Sequence, residues 1–120
     1  MSNAGRSIFV FGIYLLVVAL ALLIVPNLLL GAFFLPATTE VWVRVVGMLS
    51  VFLSFYFIQA ARSETIAFFR WTVWVRSTTI LFLGAFVLLG LASPFILPFG
   101  VIDLLGAIWT GAALRPARMA

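Results

Sequence analysis

No acidic or basic side chain occurs between Arg6 and Glu40. Because about 20 residues at a rise of about 1.5 Å each cross the hydrocarbon layer of a bilayer, this uncharged stretch is longer than one membrane-spanning helix needs. Its most apolar part, 8–25, ends at Pro26-Asn27 and reads as a retained first span. It is too long for the apolar core of a cleavable signal peptide, and no convincing small-residue cleavage site follows it. The remainder, 28–39, is apolar but broken by Gly31 and Pro36, and reads as a greasy segment packed over the helix ends at one interface.

The rest of the chain repeats the pattern. Apolar stretches over 41–61, 72–92 and 95–114 give three further spans, so the sequence predicts an all-α, four-transmembrane-helix bundle in one integral membrane domain, 1–120. Composition agrees. Hydrophobic types make up 66% of the residues and charged types 8%, far below the roughly one quarter usual in soluble domains. A water-soluble fold of this length has too little interior for so much apolar surface.

All seven basic residues are arginines, opposed by Glu40, Glu64 and Asp103, for a net charge of +4. In a soluble protein that balance would suggest nucleic acid; here the arginines stand singly between apolar runs, as expected for topology and anionic headgroups. Four spans place Arg6, Arg62, Arg70, Arg76, Arg115 and Arg118 on one side and Arg44 on the other. The positive-inside rule then makes both termini cytoplasmic, with the arginines contacting headgroups. In this reading Arg76 follows the start of the third span closely enough to snorkel back to the interface.

Helix starts and contact faces also have local signals. Thr38 or Thr39 is placed to cap the second span, with Glu40 in its first turn and Arg44 four residues on, the favourable order for an ion pair. Small residues mark helix-packing faces: Gly47 and Ser54 on the second span, Ser77 and Gly84 on the third, and Gly100, Gly106, Ala107 and Thr110 on the fourth. Val41-Trp42-Val43-Arg44 recurs as Val73-Trp74-Val75-Arg76, a likeness between two interfacial helix starts.

Asp103 is the most informative residue. It falls near the middle of the last span, where a lone carboxylate is costly unless protonated, hydrated or paired. Depth points to Arg44 as its partner in an embedded charge pair, because both enter from the same side; Arg76 starts from the opposite one. Such a pair serves helix register and topology, a substrate or proton pathway, or contact with another subunit, and a single acid favours the first.

Little else carries chemistry. The chain has no histidine, cysteine or lysine, so the usual transition-metal ligands, a thiolate, a Ser-His triad and a P-loop are all lacking, and three scattered carboxylates make no metal cage. The sequence gives no reason to expect a metal, a cofactor or an enzyme. The scattered phenylalanines read as packing and interface residues.

The closing Gly-x-x-Asp-Leu-Leu-Gly-Ala-x-Trp-Thr segment, Gly100 to Thr110, and the helix spacing resemble small uncharacterised bacterial four-helix membrane proteins, with a distant likeness to the DoxX-like group. The resemblance implies a bacterial inner (cytoplasmic) membrane location and transfers no catalytic or ligand residue. Small multidrug exporters share the length, but the first span lacks their embedded glutamate; small fluoride channels share the scale without the matching pore pattern. The expected role is a structural or accessory subunit of a membrane protein complex, as a homo-oligomer or in a larger assembly, with membrane lipids as surroundings. The alternatives are a small transporter or channel centred on Asp103 and Arg44 and, remotely, a lipid-modifying enzyme.

Overall fold

A computed structural model describes the backbone of residues 1–119 and the side chains of residues 1–115. Those residues form five α-helices: α1 (Asn3–Ile24), the short α2 (Pro26–Ala32), α3 (Val41–Arg62), α4 (Ile66–Leu88) and α5 (Leu97–Met119). A single 3-10 turn, Pro94–Ile96, leads into α5. Four helical segments are long and apolar enough to cross a membrane, Asn3–Ile24, Val41–Arg62, Ile66–Leu88 and Pro94–Arg115, and no strand occurs among the described residues. The chain is a multi-pass membrane protein.

The boundaries have local causes. Ser2 caps α1, its hydroxyl accepting from the Gly5 amide at 2.9 Å. Pro26 starts α2, where its missing N–H leaves nothing unsatisfied. The greasy segment is therefore partly helical, and its end is pinned on the start of the last span: the Phe33 ring lies 4.5 Å from Phe99 and the Phe34 ring 5.5 Å from Phe95. At the entry to α3, Glu40 is itself the N-cap residue, without a side-chain cap bond. The Thr38 hydroxyl accepts the Glu40 amide at 3.0 Å, so the expected threonine cap acts on the residue before the helix.

The third span differs most from expectation. It begins at Ile66 rather than near Thr72, because Ile66, Ala67, Phe68 and Phe69 extend its apolar surface past Arg70. It also ends earlier, at Leu88. Gly90 follows at φ 75, the left-handed conformation that terminates a helix, and the Leu91 amide closes on the Phe86 carbonyl at 2.8 Å. These shifts put Arg76 at the middle of the helix.

Helix order follows from close approaches at small residues. Along α1 and α3, Gly47 lies so near Ala19, Leu22 and Leu23 that an added Cβ would meet their backbone at 2.8–3.1 Å, and Gly12 faces Phe57 and Ile58. Along α4 and α5, a Cβ at Gly100 would meet Ile80 at 2.8–3.0 Å. The two pairs join where α1 meets α5, giving the spatial order α3, α1, α5, α4. The buried core sits at one end, where Ala4, Ile8 and Phe11 pack with Phe57, Ala60, Ala61, Phe69 and Leu114. Arg6, Arg62, Arg70 and Arg115 are exposed around that end, and Arg44 lies at the other.

Candidate functional site

Arg76 is only 3% exposed, although the sequence places it among the headgroup arginines. From mid-α4 its guanidinium turns back along its own helix and across to α5. Nε donates to the Thr72 carbonyl at 3.3 Å, and Nη2 donates to the hydroxyls of Thr72 (3.2 Å) and Thr110 (2.8 Å). The Thr110 hydroxyl is in turn 2.6 Å from that of Ser7, which also donates to the Ala4 carbonyl at 2.6 Å. One buried network thus ties α1, α4 and α5 together. The guanidinium lies 4.8 Å above the Phe11 ring centroid and 5.9 Å from that of Phe57, so aromatic faces supply part of the electrostatic compensation. Nη1 is buried without a hydrogen-bond partner, beside Gly106 and the Phe11 ring.

A cavity of about 300 Å³ adjoins this network. Its polar lining is Thr72, Arg76, Thr79 and Asp103; Phe11, Leu15, Phe57 and Phe68 supply apolar wall, and the exposed Leu53, Trp71 and Val75 form the rim. α3 and α4 approach each other through the Phe57 and Phe68 rings, 5.2 Å apart, and share no extended contact beyond them. The cavity occupies the gap that results. Asp103 and Arg76 face it together, yet among the described residues no ion pair joins them. Thr110, which holds the arginine fork, is about 10 Å further along α5 than Asp103.

The expected Arg44–Asp103 pair is not formed. α1 and α5 stand between α3 and α4, and α3 has no extended contact with α5. Arg44 instead donates to the carbonyls of Leu23 and, at 3.4 Å, Ile24, which closes the C-terminal end of α1. Nor does Arg44 form an ion pair with Glu40 among the described residues. Depth alone ranked Arg44 above Arg76 because it assumed a compact four-way bundle and a later start for the third span; it is Arg76 that shares the cavity with Asp103.

The small residues divide in the same way. Gly47 and Ser54 are buried, and Gly47 lies in the α1 contact; Gly100, Gly106, Ala107 and Thr110 face the interior from α5. Ser77 is half-buried, donating to the Val73 carbonyl at 2.6 Å, and Gly84 has nothing within 4 Å of an added Cβ, so these two make no seam. The side chain of Arg118 lies outside the described residues. Sequence reasoning missed Ser7 and Thr72. Their signal was faint: Thr72 precedes Arg76 by one helical turn, and Ser7 is a hydroxyl one residue after Arg6 at a span's start.

At the arginine-bearing end, Glu64 takes a left-handed φ of 53 in the three-residue link between α3 and α4. Its carboxylate accepts from the Ser2 amide (2.7 Å) and hydroxyl (2.6 Å), bonds that hold it below the usual carboxylate range. Among the described residues no three metal-ligating side chains converge.

The chain matches no protein-family model, no curated protein and no solved structure.

Proposed function

We propose that the protein is a structural or accessory subunit of a membrane protein complex, in which a transmembrane segment from a partner or a second copy covers the cavity between α3 and α4. The observation that carries this reading is the gap itself: Asp103 and Thr79 line an opening whose rim, Leu53, Trp71 and Val75, is exposed. A carboxyl group at this depth is costly beside lipid, and a helix supplying a donor relieves that cost. The chain's other embedded charge, Arg76, has its bonds within the bundle, which suits a scaffold. In keeping with the DoxX-like resemblance and with arginines crowded at one end, the reading places the protein in a bacterial inner membrane with that end cytoplasmic. Extraction in a mild detergent followed by native mass measurement tests it. The expected result is an oligomer or a stoichiometric copurifying subunit, reduced by Val75→Arg at the rim; a strict monomer with no copurifying protein overturns it.

A second reading rests on the cavity's chemistry. Two hydroxyls, a guanidinium and a carboxyl around about 300 Å³ suit a hydrated pathway through a small transporter or channel, with Arg76 rather than Arg44 beside the acid. Flux in proteoliposomes that is unchanged by Asp103→Asn and Thr79→Val would reject that centre.

A further inference from the structure

A second groove, separate from the Arg76 cavity, runs between α4 and α5 on the membrane-facing side and has a volume of about 470 Å³. Its floor is made by Ala107, Gly111 and Ala112, its wall by Val73 and Trp74, and Arg115 stands at its end. From Arg115 to Ala107 it extends about 12 Å along α5, from the arginine-bearing interface toward the hydrocarbon interior. Among the described residues no acidic side chain lines it.

We propose that this groove is a binding site for an anionic phospholipid, one acyl chain lying against Gly111 and Ala107 and the phosphate engaged by Arg115. Three observations single out this occupant. Apart from Ser77, whose hydroxyl donates to the Val73 carbonyl, the groove inside Arg115 is apolar, as an acyl chain requires, whereas free phosphate would need polar walls. Arg115 is exposed at the mouth and supplies the donor fork that matches a phosphodiester. Trp74 is 73% exposed beside it, a large apolar ring surface against which an acyl chain packs. The floor is open because of its small residues: a Cβ on Gly111 would meet only Val73, at an ordinary 3.6 Å, so larger side chains enter the groove without disturbing the helix pair.

Native mass spectrometry of the full chain in a mild detergent, titrated with dioleoyl-phosphatidylglycerol or dioleoyl-phosphatidylcholine, tests the site. The first phosphatidylglycerol should bind at least five-fold more tightly than phosphatidylcholine. Arg115→Gln should remove that preference, Gly111→Leu should weaken binding of both lipids, and Arg62→Gln, which removes an arginine from the same end, should change neither. Equal binding of the two lipids by the unmodified protein overturns the proposal. So does a preference that survives Arg115→Gln, and so does full binding to Gly111→Leu, which would assign the affinity to surface charge alone. Circular dichroism of each variant confirms that the helices are intact.

Discussion

Thr110→Val removes one oxygen from the centre of the buried network and leaves side-chain shape and β-branching unchanged. Two bonds are lost: the charge-assisted one from Arg76 at 2.8 Å and the one shared with Ser7 at 2.6 Å. Each partner keeps a bond, since Arg76 retains both Thr72 acceptors and the Ser7 hydroxyl still donates to the Ala4 carbonyl. Hydrogen bonds to charged groups contribute about 1.5–3 kcal/mol, and interhelical ones measured in a bilayer protein average about 0.6 kcal/mol. Taking the low end for the arginine and the average for the serine gives a destabilisation of about 2 kcal/mol, roughly 30-fold in the folded-to-unfolded ratio. Thr110→Ser keeps the oxygen and should cost only the buried methyl, about 0.8 kcal/mol. Reversible unfolding in mixed micelles of increasing denaturing-detergent content measures both. If Thr110→Val costs less than about 0.5 kcal/mol, or no more than Thr110→Ser, the network does not hold α1, α4 and α5 together.

Glycine substitutions should separate by location under the same assay. Gly47→Ala forces backbone against backbone at α1 and should destabilise by about 1–3 kcal/mol, whereas Gly84→Ala, with open space around it, should stabilise by up to about 1 kcal/mol through helix propensity. Gly106→Ala should also destabilise, because its Cβ would meet Arg76 Nη1 at 2.9 Å and the Phe11 ring at 3.2 Å. The Glu64 clasp predicts a pH dependence: its folded pKa is depressed, so its contribution is complete above the unfolded carboxylate value and is lost as pH falls through the folded one. An acid titration of stability should show that loss in the unmodified protein and a flatter curve for Glu64→Gln.

The four spans were legible because charge-free apolar runs of span length allow few other folds. Helix adjacency was not. A helical wheel shows that Gly47 and Gly100 are small, but nothing in it says that the first meets α1 and the second α4. The site was half legible: Asp103 was singled out by its depth, while Arg76 was assigned to the interface because Arg62, Glu64, Arg70, Trp71 and Trp74 resemble a boundary. From Ile66 onward that segment belongs to the helix instead, since the tight link at Ser63–Thr65 leaves no chain to spare for a longer interfacial loop. Shifting the start from Thr72 to Ile66, nearly two turns, carried Arg76 to mid-membrane, where Thr72 on its own helix and Thr110 on α5 satisfy it.

The hydroxyl network also bears on how the protein is made. α4 carries a central arginine and is the least hydropathic of the four spans, and a central arginine adds about 2.5–3.5 kcal/mol to the cost of leaving the translocon. Thr72 offsets part of that from within α4, but Thr110 belongs to α5, which is synthesised afterwards. During biogenesis α4 therefore has reason to linger at the translocon or against α1 until α5 emerges. The last two spans are expected to enter the bilayer as a hairpin, and a nascent chain arrested between them should remain exposed to quality control.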